Sequence, residues 1–327
     1  MTCATQQVLF SLPARAQEMP RPVNVAAIPQ RSPFRYPGGK TWFVPTFRDW
    51  IASRPRRPET LIEPFAGGGI ISLTALFERL VPHVVMAEID EAIAAVWQSV
   101  VHGKSEWIAK KILSFDLTEE SVVKEISRSK LDEKGKAFQT ILKNRTLHGG
   151  ILAEGSGLPK YGENGKGISS RWYPATLARR FRNLAVIAEK MEFRQEDGLK
   201  VIQEYSEQDN VVFFIDPPYT AGKKKAGRRL YRHHSINHEH LFELCESING
   251  DFVMTYDDAE EVRALVRRHG FQMRLIPMTN THHAIMEELV IGKDLAWMDC
   301  YHAVHEPAVD YPAGSKAQGS RKRQDVF

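Results

Sequence analysis

Cysteine is scarce in this chain: Cys3, Cys245 and Cys300 are the only three in 327 residues, odd in number and far apart. That argues against a disulfide framework and against a zinc site, and leaves three inert thiols in a reducing compartment as the expectation. Long apolar runs are missing as well. None approaches the roughly 18 residues of a membrane span, and the N-terminus lacks the charged-then-apolar order of a secretory signal. The chain is therefore expected in the cytoplasm, with no membrane partner. An excess of charge of one sign is also lacking, with 44 Lys and Arg against 40 Asp and Glu. With a net charge of only +4, affinity for a polyanion has to come from local clusters. No internal repeat is visible.

What remains is an ordinary soluble composition, 43% hydrophobic, enough for a sizeable core. Residues 1–30 and 305–327 carry no periodicity and are expected to be disordered, the second as a basic tail with Lys316, Arg321, Lys322 and Arg323. Between them the chain alternates. Thr60 to Phe65 reads as a strand, Gly67-Gly68-Gly69 as a turn, and Leu73, Leu76, Phe77 and Leu80 as one face of a helix. Val84 to Ile89 then reads as a second strand, and Ile93, Val96, Trp97 and Val100 as a second helix face. Such alternation predicts an α/β sheet. From 101 to 190 the segment is rich in Lys and Arg and poor in strand runs, which marks an inserted domain. Sheet-like segments resume at Phe193, Val211, Phe252, Phe271 and Glu288, so 31–100 and 191–304 form the core around the insertion.

The run Val211-Val212-Phe213-Phe214-Ile215 is short, β-branched and aromatic, as expected of a strand buried on both faces of a parallel sheet. It ends in Asp216-Pro217-Pro218-Tyr219. Ligands of open α/β sheets bind at the carboxyl ends of strands. Two prolines fix φ and remove two amide donors, so the Asp216 carboxylate and nearby carbonyls can face a ligand as acceptors, with Tyr219 as an aromatic plate. This suits a flat exocyclic NH2 group. The plainer alternative is that the two prolines merely end a core strand. Directly after the motif come Lys223, Lys224, Lys225, Arg228 and Arg229, placed to grip phosphates around a reacting base, or else a solvated charge run on a loop.

Glu63-Pro64-Phe65-Ala66-Gly67-Gly68-Gly69 is a glycine turn opening a helix, where backbone amides can approach a ligand. The third glycine of the dinucleotide pattern is absent, since position 72 is Ser. Some twenty residues on, Glu88-Ile89-Asp90 ends the next strand, where an acid can accept from ribose hydroxyls. Together they suggest an adenosine-containing cofactor. Two other readings fail. Gly39-Lys40-Thr41 imitates a P-loop, but the pattern's first glycine would fall on Phe34. His233-His234, His238-Glu239-His240 and His282-His283 invite a metal, yet adjacent histidines point to different sides of an element, so no metal is expected.

In order, Phe-Arg-Tyr-Pro-Gly-Gly-Lys (34–40), Glu-Pro-Phe-Ala-Gly-Gly-Gly (63–69), Glu-Ile-Asp (88–90), Asn144-Arg145 and Asp-Pro-Pro-Tyr (216–219) resemble the Dam-type adenine-N6 DNA methyltransferases over about residues 31–295. The resemblance implies a doubly wound methyltransferase sheet with an inserted, mainly helical target-recognition domain, S-adenosylmethionine as cofactor and double-stranded DNA as partner. It also implies that Tyr36 and Lys40 pack against the methionine end of the cofactor. Phe65, Gly67 and Gly69 would form its glycine loop, Glu88 would bind its ribose, Asp197 would lie near its adenine amine, and Asp216 would lie beside it. Asp216, Pro217, Pro218 and Tyr219 would be catalytic, acting on a flipped-out adenine, while Asn144 and Arg145 would contact DNA. A cognate restriction endonuclease is a further partner to consider. Two alternatives stay open: another planar NH2 acceptor, such as cytosine-N4, an RNA base or a glutamine amide, and a non-catalytic DNA-binding module.

Overall fold

A computed structural model describes residues 22–35, 38–150, 152, 157–158, 165–218, 236–279 and 285–299. The core opens with a 3-10 turn, Lys40–Phe43, running into helix α1, Val44–Ala52. Strand β1 (Thr60–Glu63), helix α2 (Ile70–Phe77), strand β2 (His83–Ala87) and helix α3 (Glu91–Val101) follow. Four helices come next: α4 (Ser105–Ser114), α5 (Glu119–Ile126), α6 (Glu133–Thr146) and α7 (Pro174–Ile187). The chain then returns to the sheet with β3 (Met191–Arg194), α8 (Gly198–Tyr205) and β4 (Val211–Ile215). Helix α9 (His238–Glu246), β5 (Asp251–Asp257), α10 (Glu260–Arg268), β6 (Gln272–Thr279) and β7 (Ile285–Gly292) complete it.

The seven strands lie in one sheet, order β3-β2-β1-β4-β5-β7-β6. β7 runs antiparallel to both neighbours, and the other pairings are parallel. Strand order reverses between β1 and β4. The crevice beyond their carboxyl ends is therefore the topological switch point. Strand alternation divides the core in two. Leu61, Val84, Val212 and Phe214 join the cluster under α1 to α7, whereas Ile62, Val85, Phe213 and Ile215 join the one under α8, α9 and α10. Both faces are thus covered, as a parallel sheet demands, and each fully buried Phe or Leu contributes about 1.5–3 kcal/mol.

The helical insertion does not form a core of its own. Ile108, Phe138, Ile141, Leu177 and Phe181 from α4, α6 and α7 share one cluster with Val96, Trp97 and Val100 of α3. Several helix starts have a local cause. Asp90 accepts from the amides of Ala92 and Ile93 and caps α3, Asp132 caps α6 through Gly135, and Asp197 caps α8 through Leu199. Cys245 lies fully buried in α9, and burial pushes its thiol far up, which fits an inert role. Among the described residues no helix is long and apolar enough to cross a membrane.

Candidate active site

Three loops meet at the carboxyl ends of β1, β2 and β3. Gly67 N donates to Glu88 Oε2 at 3.0 Å, Ala66 N to the Ala87 carbonyl at 2.8 Å, and Glu88 N to the Arg194 carbonyl at 3.1 Å. The other carboxylate oxygen of Glu88 accepts from Asp90 N at 3.0 Å, so this one side chain stitches the glycine turn to the start of α3. Gly67 and Gly69 adopt φ of 45° and 62°, a conformation that favours glycine. Gly198 closes the third side. A Cβ there would lie 2.4 Å from the Pro64 carbonyl oxygen and 2.7 Å from the Phe65 ring, so the start of α8, with its cap Asp197, packs directly on the glycine loop.

The fourth side is Asp216. The β1–β4 register pairs Ile62 with Phe213, and continuing it sets Phe65 level with Asp216. Thr255 of β5 donates its hydroxyl to Asp216 Oδ1 at 2.9 Å, and Lys40 Nζ stands 3.0 Å from the same oxygen. Lys40 arrives there because its turn is anchored: Phe43 stacks on Phe214, two residues before Asp216, with ring centroids 5.4 Å apart. The ammonium also lies 3.2 Å from the Gly38 carbonyl oxygen and 3.3 Å from Glu288 Oε2 on β7. Lys40 and Glu288 are buried, and the Asp216 side chain keeps 21% of its surface open.

Three carboxyls ring this crevice with raised pKa values. Burial pushes Glu63 up to about 8, although Ser72 N donates to it at 3.0 Å. Burial raises Glu88 to about 7, against the pull of its amide donors. Glu288 is likewise raised to about 7 by burial, with Lys40 opposing and Asp216 reinforcing the shift. Low-dielectric surroundings that disfavour added negative charge are common at functional sites.

Of the residues singled out in the sequence, Lys40, Phe65, Gly67, Gly69, Glu88, Asp197, Asp216 and Pro217 fall around this crevice, and Pro218 follows. Tyr36, Tyr219, Lys223, Lys224, Lys225, Arg228 and Arg229 lie outside the described residues, as do His233, His234, His282 and His283. Of the remaining histidines in those groups, His238 pairs with the Tyr256 hydroxyl at 2.8 Å and His240 with Glu243.

Asn144 and Arg145, expected to contact DNA, are both buried. Asn144 is 1% exposed and Arg145 5%. Asn144 accepts from Arg35 N and donates to the carbonyls of Arg35 and Gly150, while Arg145 donates to the Pro33 carbonyl. These side chains bind the chain's own opening segment, because residues 31–35 fold over the end of α6. Thr255 and Glu288 are the residues that sequence reasoning missed. The only signal for Thr255 was a polar residue inside a strand otherwise built for burial, and Glu288 follows the exposed Glu287 with no signal of its own.

The sequence matches the family described as D12 class N6 adenine-specific DNA methyltransferase over residues 36–277, well over half its length. The chain belongs to this family. No curated protein sequence matches it. Similar solved structures include a protein from Pyrococcus horikoshii provisionally titled an RNA methyltransferase, with TM-score 0.35 and 12% identity over 79% of this chain and 84% of that one. A provisionally titled class I S-adenosylmethionine-dependent methyltransferase from Listeria monocytogenes has TM-score 0.35 and 11% identity, over 77% and 59%. The rRNA methyltransferase AviRa from Streptomyces viridochromogenes has TM-score 0.33 and 13% identity, over 75% and 80%. Likenesses this distant carry no argument. The strand order and the family match carry it instead.

The protein is thus a methyltransferase with S-adenosylmethionine as its cofactor. Its crevice fits that group on the chemistry of the donor set. After binding two amides, the Glu88 oxygens keep lone pairs for hydroxyl donors, and the residue is only part-buried. The cofactor supplies an electrophilic methyl group on a sulfonium.

Proposed function

We propose that this methyltransferase modifies the N6 amine of an adenine flipped out of double-stranded DNA. The observation that carries the reading is Asp216, held at the carboxyl end of β4 by Thr255 and Lys40 with part of its surface open to the crevice. Adenine's exocyclic amine is a poor nucleophile because its lone pair is delocalised into the ring. If the Asp216 carboxylate and the Pro217 carbonyl each accept one N–H, the nitrogen can rehybridise and aim that lone pair at the methyl carbon. Positioning and oriented acceptors then supply most of the rate. As the nitrogen's bond to the methyl carbon forms, the bond from that carbon to sulfur breaks and the sulfur leaves as a neutral thioether; the nitrogen's surplus proton passes by way of the Asp216 carboxylate to solvent, with no covalent enzyme intermediate.

The remaining assignments follow from the family resemblance. Glu88 takes the ribose, Asp197 stands by the adenine amine of the cofactor, Phe65, Gly67 and Gly69 form its cradle, and Tyr36 and Lys40 serve its methionine end. A base inside a duplex cannot reach such a crevice, so it is extruded, with Tyr219 as the stacking plate and Pro218 shaping the turn. Lys223, Lys224, Lys225, Arg228 and Arg229 grip flanking phosphates, and the helical insertion at 101–190 reads the target. The setting is the cytoplasm, where such methylation would shield sites from a cognate restriction endonuclease.

Sequencing modified bases in DNA from cells that express the protein tests this reading. N6-methyladenine within one short motif, lost in the Asp216→Ala variant, is the expected result. Unmodified DNA, or methylated cytosine, would overturn it.

A further inference from the structure

We propose that Glu288 is a positioning residue for Asp216, acting through the Lys40 ammonium that the two carboxylates share. The inference rests on the reading of Asp216 as acceptor for the target amine.

Its basis is the sheet. β7 enters antiparallel beside β5, and the register that pairs Asp257 with Glu288 carries an acid from far along the chain to the carboxyl ends of β4 and β5. There the Lys40 ammonium lies 3.2 Å from the Gly38 carbonyl oxygen, 3.0 Å from Asp216 Oδ1 and 3.3 Å from Glu288 Oε2. An ammonium has three hydrogens, and among the described residues these three oxygens lie within reach of this one. Among the described residues Glu288 Oε2 accepts no hydrogen bond of good geometry, so the charge of Lys40 is what holds it.

Sharing has a consequence for Asp216. A buried lysine paired with one carboxylate alone would settle on it and quench the negative charge that an amine donor must feel. A second carboxylate draws the ammonium to one side. Lys40 then meets Asp216 at Oδ1, the oxygen that also takes the Thr255 hydroxyl, and these two contacts fix the carboxylate's rotation. Glu288 thus sets both the orientation of Asp216 and how much of its charge remains.

The arrangement can titrate. Glu288 faces Lys40 from the opening turn, Asp216 from the end of β4 and Asp257 from β5; burial raises it to about 7, Lys40 opposes, and both aspartates add to the rise. Asp216 in turn faces Glu63 at the end of β1 and Tyr256 on β5. Protonating Glu288 removes the carboxylate charge that competes with Asp216 for Lys40. Turnover should therefore rise as Glu288 loses its proton near neutral pH.

The test is methyl incorporation from labelled S-adenosylmethionine into plasmid DNA free of adenine methylation, as kcat and KM from about pH 5.5 to about 9. We expect Glu288→Gln to lower kcat at alkaline pH by about tenfold or more, to leave KM for S-adenosylmethionine within about twofold, and to abolish the acid limb. Glu288→Asp should restore part of kcat and retain a displaced limb. A Gln variant with wild-type kcat and limb overturns the proposal. So does a folded Asp variant with an unshifted limb, which stands as the deciding measurement should the Gln variant fail to fold. Wild-type protein that makes no N6-methyladenine would instead sink the reading of Asp216 itself.

Discussion

Trp97 donates its indole Nε1 hydrogen to the Gly67 carbonyl at 2.9 Å, and its ring would lie 3.0 Å from a Cβ placed on Gly69. Helix α3 therefore grips the glycine turn from behind and leaves the turn no slack. A methyl group on Gly69 would also meet Met86 Cε at 2.6 Å, at a φ of 62°. We expect Gly69→Ala to destabilise the protein by about 1–3 kcal/mol and to weaken cofactor binding. Urea denaturation measures the first and calorimetric titration the second. A wild-type midpoint with wild-type affinity would show that the turn is not held in this way.

Glu88 and Lys40 are assigned to the cofactor side of the site. Glu88→Ala removes the acceptor for two loop amides, and Lys40→Ala removes the cation between Asp216 and Glu288. Both variants should lose at least about tenfold in S-adenosylmethionine affinity, roughly 1.4 kcal/mol, and less in DNA affinity. Unchanged cofactor affinity in both, read by calorimetry, contradicts the assignment.

Asn144 ties α6 to Arg35 and Gly150 from inside the protein. Asn144→Ala should cost about 2–4 kcal/mol, because it leaves buried backbone groups unpaired. The salt dependence of DNA affinity should stay as it was. Intact stability with altered DNA binding would support the direct-contact reading.

Glu63 gives a pH dependence with a definite sign. Its carboxyl is raised from 4.5 to about 8, so the folded protein keeps a proton that the unfolded chain releases. That stability is fully present below the unfolded value and is lost as pH rises through about 8. Glu88 and Glu288 act in the same direction, each raised to about 7. The melting temperature should therefore fall with rising pH across this window, and Glu63→Gln should flatten part of the fall. A variant with the wild-type slope would show that Glu63 is not the buried acid responsible.

The legible parts of this site are those in which chemistry follows directly on a buried strand. β4 is apolar throughout and stops at Asp216, and the glycine turn and Glu88 follow β1 and β2 in the same way. Period and punctuation mark such places without knowledge of tertiary structure. Thr255 and Glu288 reach the crevice only through the pairing of β5 with β4 and of β7 with β5, registers that no local pattern encodes. The burial of Asn144 and Arg145 was hidden for the opposite reason. Their polarity reads as exposure until residues 31–35, more than a hundred positions earlier, are seen to cover them.

The central claim is that Asp216 accepts from an adenine amine during methyl transfer, and nucleoside analysis tests it most directly. Purified protein is incubated with methyl-labelled S-adenosylmethionine and duplex DNA, and the DNA is digested to nucleosides and separated. The account expects all label in N6-methyldeoxyadenosine for the wild type, and none for a folded Asp216→Ala variant that still binds cofactor. Label in N4-methyldeoxycytidine, incorporation into RNA or protein instead of DNA, or near-normal turnover without Asp216 would contradict it.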